Sequence, residues 1–377
     1  MQLKLTFPKT DKQYLYFLIF YQLLLVIIIF AFFYFNGGWD SKLIYSKLIN
    51  WDSRHYLDIA SRGYSIEAKN YLIVFFPLYP LLIRLLNLFA IPYLLAGLFI
   101  SFVSSIIGHY YFIKLMQFHS LDKKIIDKSL GLLLLSPIML YFSIIYTEPL
   151  FFMLTILFFY FLTKKKFLVS SIIALLASLT RIMGVTLFIP YIISLWPKNN
   201  NLKIIIKETK IQLFGVLIIS IGLLTYLIIN QIFYNHPFYF SQIQKQKFSK
   251  TIINPITNIK NNIGYLTNDI KARNFNTHTL DQITTLAIPI LLFIYLLKPS
   301  KNIPKYWLIW ILIQWLIISS QSFWQSNARY LGIIFPIYII LAQLTAKNKY
   351  LYALTLLTLF ISGIAIINLY SKGYWAL

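Results

Sequence analysis

Residues 14–35 read YLYFLIFYQLLLVIIIFAFFYF, without one charged side chain, and comparable runs recur to the end of the chain. At 1.5 Å per residue such a run crosses a bilayer core of about 30 Å. Inside lipid every backbone polar group must find its partner within the protein, which here leaves helices. The sequence therefore predicts an all-α polytopic membrane protein. Charged residues make up 12% of the chain, about half the share expected of a soluble domain. The first run is too long for a signal peptide and is followed by many more, so it reads as the first transmembrane helix. The absence of cysteine excludes a disulfide framework and thiolate chemistry. A net charge of +23 would suggest nucleic acid in a soluble protein. Here the basic residues sit in short loops between apolar runs, where the insertion rule and anionic headgroups account for them, and no nucleic-acid partner is expected.

Those basic clusters set the expected threading. Lys4/Lys9/Lys12, Lys123/Lys124/Lys128, Lys164–Lys166, Lys198/Lys203/Lys207/Lys210, Lys298/Lys301/Lys305 and Lys347/Lys349 are assigned to the cytoplasm, with the N-terminus. An even number of crossings must then separate consecutive clusters. The segment 75–90, with Pro77, Pro80 and Arg84, is expected not to cross, which gives about eleven spans. The chain 1–377 reads as a single integral-membrane domain with outer loops at about 36–92 and 234–281. The threading collects Asp52, His55, Glu148, Arg181, His236 and Arg329 on the outer side, near span ends. Ionisable groups at membrane depth are costly and are candidates for function.

The first outer loop carries the densest polar stretch, NWDSRHYLDIASRGYS at 50–65. Residues 52–62 contain neither Pro nor Gly and predict a short interfacial helix stopped by Gly63. Arg54, Asp58 and Arg62 follow an i, i+4, i+8 ladder, whereas Asp52, His55, Tyr56 and Ile59 share another face. Asp52 is either an N-cap or a carboxylate aimed at an outer cavity with His55 beside it. A carboxylate there suits a general base that takes a proton from a hydroxyl. Arg181 and Arg329 suit a phosphate, because the guanidinium fork matches phosphate oxygens. His55 and Glu148 are assigned to positioning substrate or base, although Thr147-Glu148-Pro149 also reads as a plain helix start. Lys245, Lys247 and Lys250 either guide an anionic lipid or form a headgroup-binding surface. No metal motif and no Gly-rich phosphate loop occurs.

At these residues the chain resembles the PIG-V type mannosyltransferases, which add the second mannose of the GPI anchor, and their bacterial relatives. The shared elements are Trp51-Asp52, His55-Tyr56, Ile59-Ala60, Gly63-Tyr64 and Phe75-Phe76-Pro77-Leu78-Tyr79-Pro80. Tyr146-Thr147-Glu148-Pro149-Leu150, Ala177-Ser178-Leu179-Thr180-Arg181 with Gly184, and Arg329-Tyr330 with Phe335-Pro336 complete the pattern. The resemblance implies a GT-C glycosyltransferase fold with interfacial helices in the first outer loop and an acidic catalytic base, here Asp52. It adds Tyr56 and Tyr330 to the substrate-binding residues His55, Glu148, Arg181 and Arg329. It also implies an inverting transfer of mannose from a polyprenyl- or dolichyl-phosphate donor to an acceptor hydroxyl on a glycan, glycolipid or protein. No cofactor is evident, while some membrane glycosyltransferases use divalent ions. The expected location is the cell membrane with the site at the outer face, or the ER membrane in a eukaryote. Two alternatives stay open: transfer of another sugar or aminosugar to the cell envelope, and a transporter or flippase of lipid-linked sugars. A transporter is expected to show paired halves with broken helices near the midplane, whereas these charges gather on one side.

Overall fold

A computed structural model describes residues 8, 10–64, 70–195, 202–273 and 276–376, the side chains of Asn70 and of residues 202–213 excepted. Lys4, Lys9 and Lys198, and the side chains of Lys203, Lys207 and Lys210, lie outside what is described. The chain builds α1 (Asp11–Phe35), α2 (Ser41–Leu48), α3 (Asp52–Arg62), α4 (Leu78–Asn87), α5 (Tyr93–Phe118) and α6 (Lys123–Leu134). Then come α7 (Glu148–Thr163), α8 (Phe167–Thr180), α9 (Phe188–Leu195), α10 (Leu202–Tyr234), α11 (Tyr239–Phe248) and α12 (Pro255–Lys271). The last five are α13 (Thr277–Leu297), α14 (Lys305–Ser319), α15 (Asn327–Gly332), α16 (Pro336–Thr345) and α17 (Lys349–Ser371). Among the described residues the only strand-like feature is one antiparallel bridge, Ile252 to Gln321.

Five helical segments are long and apolar enough to cross a membrane: α1, α5, Phe214–Tyr234 of α10, α13 and α17. Six further apolar segments have 10–17 residues. Length and composition thus identify fewer spans than the expected eleven; the remaining apolar helices are shorter and are interrupted where the chain turns. One break follows α8, another separates α15 from α16. The segment 75–90 folds as α4, ten residues and about 15 Å long, too short to cross. Arg84 on α4 donates to the carbonyl of Ser61 at 3.1 Å and so fastens α4 beside α3.

Among the described residues, the basic clusters near Lys12, Lys123–Lys128, Lys301 and Lys347 converge on one end of the bundle. Lys114 pairs with Asp11, and Tyr14 donates to Asp127 Oδ1 at 2.6 Å. Lys128 donates to the carbonyls of Thr345 and Ala346 at 3.4 and 3.2 Å, and Asn302 to that of Ser120 at 3.0 Å. At the opposite end Asn36 donates to Ser371 Oγ at 2.7 Å, and Trp51 meets Trp375 edge-on at 4.9 Å. The helices of both outer loops lie at this second end.

Helix α7 occupies the centre, between α5 and α8. Its sequence EPLFFMLTILFFYFLT is apolar on all sides after Glu148, the pattern of a helix surrounded by protein. Phe159 packs on Trp310 and Phe335 at 5.2 and 5.3 Å. By contrast α1 and α17 keep apolar faces exposed, as lipid-facing helices do. Helix α8 ends at Thr180, Arg181 is extended (φ −155°, ψ 146°), and a 3-10 turn at Ile182–Leu187 folds back. A Cβ at Gly184 would meet the backbone of Ala177 at 2.3 Å, so only glycine permits that turn. Gly184→Ala is expected to destabilise the protein by about 1–3 kcal/mol through overpacking and to displace Arg181. A lowered melting temperature in detergent, with reduced activity, is the measurement that checks it.

Candidate active site

The site is assembled from four distant stretches of chain. Trp51 enters α3 with φ 52°, so the cap position is Trp51 rather than Asp52, and no side chain caps the helix. Asp52 is the first helical residue, and its carboxylate faces inward instead of capping: Oδ2 lies 3.1 Å from Arg329 Nη2. One turn on, Tyr56 is buried, with its hydroxyl 3.3 Å from Thr147 Oγ1. Burial raises the Tyr56 phenol well above its usual pKa, and the nearby Asp52 and Glu148 carboxylates add to the effect. It therefore remains a neutral hydroxyl.

Glu148 opens α7 and is 1% exposed. Its Oε1 lies 2.7 Å from Arg181 Nη1 and 3.1 Å from Arg329 Nε. Thr147 makes no capping bond; its hydroxyl instead accepts from Arg181 Nη1 at 3.2 Å. Glu148 holds two cations and is not part of the cavity lining.

Arg329 sits in the short helix α15, 3% exposed. Its guanidinium lies over the rings of Tyr141, Tyr146 and Tyr330 at 5.2–5.3 Å. The Tyr330 ring also receives Arg181 at 4.7 Å and Lys250 at 5.4 Å, so three cations surround one phenol. Lys250 donates to the carbonyl of Gln325 at 3.1 Å and makes no ion pair among the described residues.

A cavity of about 190 Å³ opens between these groups, lined by Asp52, Tyr56, Arg181, Lys250, Arg329 and Tyr330, with Trp375 at its rim. Six of the residues singled out in the sequence are brought together here, with Glu148 directly behind the lining. His55 is set apart: its ring packs on Tyr71 and Phe75 at 5.3 and 4.9 Å and does not line the cavity. Among the described residues no three His, Cys, Asp or Glu side chains lie close enough to hold a metal ion.

Several contributors went unrecognised in the sequence. Thr147 was legible only as a cap. Tyr141, Tyr146 and Trp375 are aromatics in a chain full of them. Asp281, an acidic residue at the start of an apolar run, was the one readable signal.

No curated protein and no solved structure is matched by this chain. The sequence model of the family described as Mannosyltransferase (PIG-V) matches residues 31–295, which takes in Asp52, Tyr56, Glu148, Arg181 and Lys250. The all-helical architecture is consistent with the GT-C superfamily. With most of its length inside that match, the chain belongs to the PIG-V mannosyltransferase family, whose activity is that of a membrane glycosyltransferase.

Proposed function

We propose that the protein transfers mannose from a polyprenyl-phosphate donor to an acceptor hydroxyl, by inverting displacement, in the cavity bounded by Asp52 and Arg329. The observation that carries this reading is the Asp52–Arg329 pair, which opens onto the same space as Lys250 and Tyr330. Arg181, Arg329 and Lys250 face Asp52 and Glu148, an excess of one positive charge. A lipid phosphodiester brings one negative charge and balances it.

In the reaction the acceptor oxygen attacks the anomeric carbon while the bond from that carbon to the phosphate oxygen breaks. The acceptor proton passes to Asp52, and the lipid phosphate departs with a second negative charge. Proton uptake by Asp52 removes the countercharge of Arg329 at the moment the phosphate gains charge. The guanidinium is then free to turn to the leaving group, where preorganised cations stabilise the transition state. Lys250, with no carboxylate partner, engages the phosphate already in the ground state. Tyr56 and Tyr330 shape the sugar pocket.

For the membrane arrangement, we place the lysine end in the cytoplasm and the site at the outer face, following the positive-inside rule. The contacts at the two ends fit eleven passes, six of them made by short or broken helices.

Two experiments on the full chain in lipid test this reading with labelled polyprenyl-phosphate mannose. Asp52→Asn is expected to lower transfer about 10²–10⁴-fold with donor binding retained; an unchanged rate would remove Asp52 as the base. Lys250→Gln is expected to raise the donor KM roughly tenfold or more, the loss of one charge-assisted hydrogen bond, while Lys245→Gln leaves it unchanged. Equal effects of the two lysine variants would reduce Lys250 to a general surface charge.

A further inference from the structure

One stripe of α13 holds the chain just ahead of Arg329. His278, Asp281 and Thr285 are spaced i, i+3, i+7 and share a helix face. His278 Nδ1 lies 3.1 Å from the carbonyl of Trp324. Asp281 Oδ2 accepts from the Ser326 N–H at 2.8 Å, and Oδ1 from the Ala328 N–H at 2.7 Å. Thr285 Oγ1 accepts from Asn327 Nδ2 at 3.0 Å. Residues 324, 326, 327 and 328 are thereby fixed by one face of one helix, and the next residue is Arg329.

Asp281 is 1% exposed and makes no ion pair among the described residues. A buried carboxylate is costly unless its oxygens are hydrogen-bonded, and here each oxygen has a backbone donor. An amide side chain offers one acceptor oxygen and an NH2 donor, so it cannot serve both N–H groups in this way. Ser326 also adopts φ 68°, a left-handed conformation that a non-glycine residue holds only when its neighbours impose it. Arg329 depends on the register that results, because it reaches Asp52 through Nη2 and Glu148 through Nε, each at 3.1 Å. A shift of one ångström would break one of the two pairs.

We propose that Asp281 is a positioning residue: it fixes the 326–328 backbone so that the Arg329 guanidinium spans both carboxylates. This rests on the reading of Arg329 as part of the donor-phosphate site. The test is a double-mutant cycle in the full-length protein in lipid, with Asp281→Asn, Arg329→Lys and the pair, following kcat, donor KM and melting temperature. Asp281→Asn is expected to lower kcat about 10²-fold, the effect of an ångström-scale misplacement, and to add little in the Arg329→Lys background. Equal losses in both backgrounds would overturn the proposal and assign Asp281 to general folding; so would wild-type kinetics in Asp281→Asn. Full activity of Arg329→Lys would instead overturn the role of Arg329, and the positioning role with it. If Asp281→Asn does not fold, Thr285→Val removes the Asn327 anchor, together with the hydroxyl's own bond to the Asp281 carbonyl within α13, and enters the same cycle, with the same pattern of outcomes.

Discussion

One carboxylate oxygen, Glu148 Oε1, pairs with two guanidinium groups, and the site is organised around it. Arg181, partly buried, arrives from the broken end of α8, and Arg329, buried, from α15. Unpaired, a buried ion such as Arg329 would cost several kcal/mol. The shared carboxylate offsets that cost, and the tyrosine faces around Arg329 and Arg181 add cation–π attraction of about 0.5–2 kcal/mol each. Arg329 still has Nη2 for Asp52. Four stretches, near residues 52, 148, 181 and 329, are in this way tied through one central charge. Glu148 contributes nothing to the cavity wall; it determines where the wall stands.

The charges differ in what they are free to do. Arg181 is held by both Glu148 and Thr147, which leaves it little freedom to follow a substrate. Arg329 has a conditional partner, since the negative charge on Asp52 can be cancelled by a proton whereas Glu148 lies behind the lining. Lys250 is held by one carbonyl and a ring face. That order, from fixed to conditional to free, is what the proposed phosphate binding would require of a site dense in ion pairs. A symmetric set of salt bridges would bind nothing.

Membrane class, lysine-rich end and polar end were legible in the sequence because each rests on a strong one-dimensional signal: long apolar runs, charge clusters, and acidic or basic residues beside them. Asp52, Arg181 and Arg329 stood out for the same reason, as charges among apolar neighbours. Their pairing did not, because Arg329 lies 277 positions beyond Asp52 and spacing along the chain carries no information about such a contact. The span count was blurred by physics as well. Glu148, Arg181 and Arg329 each sit where a helix begins, breaks or restarts, so the apolar helices that carry the site are shorter than a bilayer-crossing run. His55 shares a helical face with Asp52 in projection, yet Tyr71 and Phe75 take up its ring.

The two helices that deliver Asp52 and Arg329 share one more property. Asp52 follows Trp51 at φ 52°, and Arg329 follows Ser326 at φ 68° by three residues. Each such backbone costs about 1–3 kcal/mol and persists only where its surroundings over-determine it. Different means serve at each. Trp51 is locked by the side chain of Asn50, which accepts its N–H at 3.0 Å, and by the edge of Trp375; Ser326 is locked by Asp281. The strain is placed next to an ion pair whose partners both line the cavity. A relaxed backbone at either position would swing Asp52 or Arg329 out of register, so the fold spends stability there to hold carboxylate and guanidinium at 3.1 Å.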